Sequence, residues 1–360
     1  MELIKTLSKG AQKRVLMEQF KLERIPNSPP EIKPLPAGTI RPLWSVMIPA
    51  YNCSIYLEKT ITSVLLQDMG ADKMQIEVVD DASTDADVEA LVKKIGKGRV
   101  GYFRQAKNVG SLRNFETCIN RAKGQIIHLL HGDDRVKPGY YEKITELFKR
   151  YPDAGAAYSA WDYIDDKDNF IRHSRIEEEE DCILDDWLFK LAEHQRLQYA
   201  CISVKRDVYE KLGSFYGVIY GEDWEMWARI AKHYPTAYTP EFMVEYREHE
   251  STISMQSFLS GNNIRDIDKV IQTIYGYLTP EEKKRMHKKA HRHYLYWAYS
   301  FTKDVWYQTK NNKIVYKQCR ESLKVYQDPR LAMKMGILLM RIWAEPIIRL
   351  IRPQVINKDS

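Results

Sequence analysis

Ile126-Ile127-His128-Leu129-Leu130-His131-Gly132-Asp133-Asp134 is the stretch on which the fold turns. It opens with mostly apolar residues of strand length, two of them β-branched, and closes with a flexible glycine and two adjacent carboxylates. A strand that empties two acids at its carboxyl end is a poor way to finish a hydrophobic core. It is a good way to hold a divalent metal at the crevice of an α/β sheet, where hard oxygen ligands suit magnesium or manganese. The simpler alternative is a tight turn at Gly132 with a solvated Asp133-Asp134 pair.

The chain before this stretch weighs against the simple turn. Trp44 to Pro49 reads as a first strand, and Pro49-Ala-Tyr51-Asn52 takes the chain out of it into a loop. Ser54 to Gln67 has helical spacing, Ile76-Glu-Val-Val79 is a second strand, and Asp80-Asp81 follows at its end. Ser83 or Thr84 can cap a helix containing Val88 to Ile95. Arg99 to Phe103 is a third strand, Val109 to Ala122 the next helix, and Gln125 to Leu130 the fourth strand. This alternation implies right-handed crossovers and a mostly parallel sheet, which gathers ligands beyond the carboxyl ends of its strands. Three of those ends carry Tyr51-Asn52, Asp80-Asp81 and Asp133-Asp134. No Gly-x-Gly-x-x-Gly follows the first strand and no Gly-x-x-x-x-Gly-Lys-Ser/Thr occurs, so a bound nucleotide has to be held by carboxylates and a metal.

Composition sets broad limits. A chain of 360 residues has ample surface to bury in one large or two medium domains. Its net charge of +6, on 55 basic and 49 acidic groups, suits an acidic substrate, a membrane surface or simple solubility, and chooses none of them. Five scattered cysteines with no Cys-x-x-Cys spacing read as reduced and structural. The start lacks the apolar run of a secretory signal, and no uninterrupted apolar segment of spanning length appears. The expected location is therefore cytoplasmic or peripheral at the inner face of the cell membrane.

The motifs and their order resemble glycosyltransferase family 2, with the GT-A fold, from Trp44 to about Ile253. Val46-Met-Ile-Pro-Ala-Tyr-Asn52 resembles the family's opening strand and loop. Glu77-Val-Val-Asp-Asp-Ala-Ser-Thr-Asp85 is similar to the segment whose acid grips the uracil of a UDP-sugar, which implies Asp81. Lys107-Asn108-Val-Gly110 with Arg113-Asn114 is similar to the run ahead of the metal strand. The resemblance thus implies nucleotide contacts from Pro49, Tyr51, Asn52, Asp81, Asn108 and Arg113, with Asp133 in support. The family's Asp-x-Asp-type motif falls on His131-Gly-Asp-Asp134, so Asp134 is the implied ligand of Mn2+ or Mg2+. His131 stands where many relatives keep another acid.

Downstream, Pro138 to Tyr151 reads as a helix and Ala156 to Ser159 as a strand, and the charged segment Trp161 to Glu180 reads as a solvated excursion. Leu197 to Val204 returns to the core and Arg206 to Leu212 is a short helix. Gly221-Glu222-Asp223-Trp224 starts a helix with two acids at its amino end, where simple capping would also favour them. The resemblance implies that Asp223 is the general base of an inverting transfer, with Glu222 orienting hydroxyls. Trp224 is core or an acceptor platform. Glu245-Tyr-Arg-Glu-His-Glu-Ser-Thr-Ile-Ser254 is similar to the family's closing segment, which implies a phosphate contact from Arg247 and a metal or diphosphate contact from His249.

The last hundred residues differ in composition. Ile264 to Leu278 and Pro280 to Gln308 read as helices, with His287, His291 and His293 on a solvated basic face rather than in a metal site. No RNA- or DNA-binding module accompanies that face, so no nucleic-acid partner is expected. Residues 331–353 alternate long apolar stretches with Lys334, Arg341, Arg349 and Arg352, and Pro346 should kink or break a helix there. They read either as a segment lying in a membrane interface or as a helix pair packed on the rest of the chain or on a second copy in a homo-oligomer.

The expected organisation is a basic helix and proline-rich lead-in (1–43), an α/β catalytic domain (44–254) and a helical region (255–360). The expected activity is transfer of a sugar from a nucleotide-sugar donor to a glycan or lipid-linked acceptor in surface-polysaccharide synthesis. The alternatives are a sugar-nucleotide nucleotidyltransferase, which would carry a glycine-rich phosphate loop, and a non-catalytic membrane scaffold.

Overall fold

The computed structural model describes residues 23–249 and 252–351, with side chains as far as Glu345. These residues form two compact units, 23–191 with 195–249 and 192–194 with 252–351.

The first unit is built on one ten-stranded sheet. Its strands are β1 (Trp44–Ala50), β2 (Met74–Asp80), β3 (Gly101–Arg104), β4 (Ile126–Leu129), β5 (Arg135–Val136), β6 (Ala156–Ile164), β7 (Phe170–His173), β8 (Cys182–Ile183), β9 (Ile202–Lys205) and β10 (Thr236–Arg247). Helices α1 (Ser54–Leu65), α2 (Val88–Gly96), α3 (Ser111–Arg121), α4 (Tyr140–Arg150), α5 (Trp187–Glu193), α6 (Arg206–Leu212) and α7 (Glu222–His233) connect them. All seven residues of β1 are buried, as expected for a central strand covered on both faces.

Strand order places the site. The sheet runs β3-β2-β1-β4-β9-β6-β10-β5, and the first four strands are mutually parallel. Because β2 and β4 lie on opposite sides of β1, the order reverses there and opens a crevice at the carboxyl ends. Register brings those ends level: Ala50 lies beside Asp80, and Met47 beside Leu129.

Beyond β4 the sheet is mixed, where the alternation of elements predicted a mostly parallel one. β9 runs antiparallel to both β4 and β6, while β6 and β10 are parallel. The cause is the route of the chain: it reaches β9 through a 3-10 turn at Tyr199–Cys201, on the side where β4 ends, and runs back from there. The charged excursion also begins later than expected. Trp161 and Ile164 are buried in the end of β6, so the solvated turn starts at Asp165.

Gly124, just before β4, marks the tightest approach in the sheet. A Cβ there would lie 2.4 Å from the Ser45 nitrogen and 2.5 Å from the Trp44 carbonyl carbon. These are backbone atoms of the central strand and cannot give way. Gly124→Ala is therefore expected to destabilise the fold by about 1–3 kcal/mol, measured as a lower urea midpoint at unchanged m.

The second unit is helical: α8 (Ile253–Ser260), α9 (Asn262–Tyr277), α10 (Pro280–Met286), α11 (Lys289–Thr309), α12 (Asn312–Val325) and α13 (Pro329–Ile351). Its core includes Ile264, Leu295, Trp306, Val315, Leu331 and Leu338. The helix expected over Pro280 to Gln308 is two helices, broken where Lys288 takes φ 60°. Conversely, α13 continues through Pro346, where a break was expected. His291 is buried rather than on a solvated face: its Nε2 lies 2.8 Å from Asp268 and its ring stacks on Tyr326.

Candidate active site

The loop after β4 passes close under β1 because residue 132 has no side chain. A Cβ on Gly132 would meet the Cys53 sulfur at 2.7 Å, and the Gly132 N–H donates to the Pro49 carbonyl. The turn that follows delivers His131, Asp133 and Asp134 to one point, with one ligand atom from each all within 4.8 Å of one another.

Two of these three groups carry a buried atom with no protein partner, His131 Nε2 and Asp134 Oδ2. Unpaired buried polar atoms are costly, and an acidic one beside an imidazole nitrogen suits a cation. The residues present therefore fit a divalent metal. Burial, with Asp133 adjacent, raises the Asp134 pKa well above the usual carboxylate range. Burial also opposes ionisation of Asp133, but its 3.0 Å hydrogen bond to His249 Nε2, with His131 nearby, outweighs this and lowers its pKa. Burial lowers that of His131. A cation would offset the shared cost of the two acids.

His131 was read in sequence as a lost acid, whereas its nitrogen stands in the cluster. His249 sits one step out, bonded to Asp133, and is not among the three clustered groups.

Arg247 corrects another expectation. Its backbone N–H donates to Asp134 Oδ1 at 2.9 Å, Nε to the Asp133 carbonyl, Nη1 to the Asp165 carbonyl and Nη2 to Asp168. The side chain is fully buried and its face covers the Tyr56 ring. It clamps the acidic loop from below rather than offering itself to a phosphate. Arg247→Met is expected to leave those carbonyls unpaired and to weaken Mn2+ binding about 10- to 100-fold in calorimetric titration.

Along the β1 and β2 ends, Asn52, Asp81, Asn108 and Arg113 are each held by hydrogen bonds within the protein. Asn52, at φ 50°, donates its N–H to Ser83 and accepts from the Thr84 N–H, and Tyr51 stands half exposed beside it. Asp81 is buried; its two carboxylate oxygens accept the Val109 and Gly110 N–H groups at 2.7 and 2.9 Å. Burial raises its pKa, and those two bonds oppose the rise. Asn108 donates to the Asp81 carbonyl. Arg113 is tied to the Glu23 carbonyl and to Glu116. In this arrangement Asp81 fixes the β3–α3 loop, leaving only its further lone pairs for a ligand.

The acids at the start of α7 are buried. Gly221 takes φ 90° ahead of the helix, a conformation that favours glycine. Asp223 is 6% exposed, accepts from Gln195 and from the Trp224 N–H, and is pushed by burial to a pKa of about 7. Glu222 accepts from the Tyr199 hydroxyl at 3.2 Å. Trp224 is no acceptor platform: it is 1% exposed and its indole N–H donates to the Leu191 carbonyl at 2.6 Å.

Tyr199 joins the two groups of acids. Its ring lies 4.5 Å from that of His131, while its hydroxyl reaches Glu222. Partly buried Tyr246 has its pKa raised by burial and by the charges of Asp134, Asp133 and Asp223 together. A cluster that fits a cation and a carboxyl whose pKa burial pushes up to about 7 therefore share one region, an arrangement suited to placing an anionic leaving group beside a proton acceptor. Tyr199 and Gln195 were missed in sequence, since their role comes from the reversal of β9, which no local pattern announces.

The family model described as Glycosyl transferase family 2 matches residues 45–227. An uncharacterised protein of Mycobacterium tuberculosis is 34% identical over 119 residues, covering 33% of this chain and 36% of that protein. An uncharacterised glycosyltransferase of Haemophilus influenzae is 26% identical over 223 residues, 59% of this chain and 68% of that one. The chain thus spans about a third of the first relative's length and about two thirds of the second's. Among solved structures, S. aureus TarS 1-349 in complex with UDP-GlcNAc shares the fold at a TM-score of 0.58 and 14% identity, over 85% of this chain and 88% of that one.

Proposed function

The chain belongs to glycosyl transferase family 2, and from that premise we propose that it is an inverting, metal-dependent transferase that moves a sugar from a UDP-sugar to a hydroxyl of a glycan or lipid-linked acceptor. The observation that carries this reading is the pairing of the His131-Asp133-Asp134 cluster, two of its buried polar atoms without partners, with the buried Asp223 carboxylate, whose pKa burial pushes up to about 7. TarS, which shares the fold, is solved with UDP-GlcNAc and with UDP, and that supports a uridine donor.

Asp134, Asp133 and His131 would hold the ion. When bound, it neutralises the diphosphate and favours its departure. An imidazole nitrogen among the ligands suits manganese better than magnesium. The loops that carry Asn52, Asp81 and Asn108 form the wall for the uridine. Asp223 accepts the proton of the acceptor hydroxyl as that oxygen attacks the anomeric carbon; Gln195 holds the carboxylate in place and Glu222 orients hydroxyls. One displacement from an α-linked donor leaves a β-linked product.

The test is to incubate the protein with UDP-sugars and lipid-linked or free glycan acceptors in Mn2+ and to follow the anomeric proton by NMR. A β-linked product from an α-linked donor is expected, and an α-linked product would refute the single displacement.

A further inference from the structure

Helix α13 is apolar on the side where a helix at a protein surface is ordinarily polar. Its inner side, Leu331, Met335, Leu338 and Ile342, is buried in the core of the helical unit. Its outer side exposes Met333, Ile337, Met340 and Trp343, at 61%, 52%, 64% and 74%. At 3.6 residues per turn the first three fall on one narrow stripe, with Trp343 along one border and Arg330, Lys334 and Arg341, all exposed, along the other. Within residues 329–345 the one acid is Glu345, which pairs with Lys310. The outer side is thus an apolar strip with a row of cations beside it and no unpaired anion.

Two occupants would remove that strip from water. A second copy docking antiparallel by the same face would set the two cation rows side by side, and docking parallel would offer them no acid either, since the one acid of the segment, Glu345, is paired with Lys310. A bilayer with anionic headgroups offers an apolar layer and the opposite charge together. Among the described residues no helix is long and apolar enough to cross a membrane, so such a contact lies in the plane of the surface. We propose that α13 docks in the interface of an anionic membrane, with Met333, Ile337, Met340 and Trp343 at the acyl boundary and Arg330, Lys334 and Arg341 against lipid phosphates. The docking is independent of the transfer chemistry and stands or falls by itself.

The experiment is flotation of the full chain with vesicles of phosphatidylcholine alone and of phosphatidylcholine with about one quarter phosphatidylglycerol, at low and high salt. Binding to the anionic vesicles, weakened by salt, is expected, with little binding to the neutral ones. Ile337→Glu with Met340→Glu should abolish it at unchanged thermal midpoint, because both side chains are exposed. Lys334→Gln with Arg341→Gln should weaken it about fivefold for each cation lost. Equal binding to both vesicles, binding that survives the glutamates, or no binding to either would overturn the proposal. So would a concentration-dependent dimer that the glutamates dissolve, which would assign the face to a second copy.

Discussion

Asp134→Ala is expected to lower metal-dependent UDP affinity by on the order of a hundredfold or more while leaving the fold intact. The residue is buried, its Oδ2 has no protein partner, and burial with the neighbouring Asp133 already holds its pKa well above the usual range. Removing such a group relieves an unfavourable burial but leaves the buried Arg247 N–H without its acceptor, so the thermal midpoint should change little. Asp134→Asn separates charge from shape, since the amide oxygen can still accept the Arg247 N–H. Asparagine should be nearly as damaging to metal binding as alanine. Calorimetry with Mn2+, then with UDP, reads both effects directly.

Asp223→Asn carries the second large effect. A general base contributes about 10²- to 10⁴-fold, so kcat should fall by that order while the donor's dissociation constant stays within about twofold. The sign of the pH dependence follows from the pKa near 7. The base works only when deprotonated, so wild-type kcat should rise with pH, bend near 7 and level off above it. The same shift bears on stability. The folded pKa lies above the unfolded value of about 4, so the folded state holds this proton more tightly, and that contribution, full below pH 4, is lost as pH rises through 7. The asparagine variant should lose less stability than wild type between those limits, and urea midpoints at several pH values would show it.

What the sequence revealed and what it hid divide by distance along the chain. The ends of β1, β2 and β4 were legible because a strand run followed by polar residues is a local pattern, and parallel crossovers bring such ends to one edge. The roles of Trp224 and Arg247 were not. The indole of Trp224 is claimed by Leu191, 33 residues away, and the guanidinium of Arg247 by Asp133, 114 residues away. Aromatic and cationic side chains near a catalytic motif look like ligand contacts until those partners are known. His131 misled for a different reason: a template that asks for an acid scores an imidazole as a loss, although nitrogen is as good a ligand for the softer divalent ions.

The C-terminal region shows the same division. A proline inside an apolar, basic run predicts a break, yet α13 runs on through Pro346. The inner row of Leu331, Met335, Leu338 and Ile342 anchors the preceding turns, and tertiary packing outweighs local propensity there.

The most direct measurement is titration of the purified chain with UDP, GDP and CMP, each with and without Mn2+, and again on Asp134→Ala. The account predicts that UDP binds preferentially, that it needs manganese, and that the alanine variant loses this binding. Equally weak binding of all three nucleotides, indifferent to metal and to the substitution, would contradict the assignment of this cluster as the donor site.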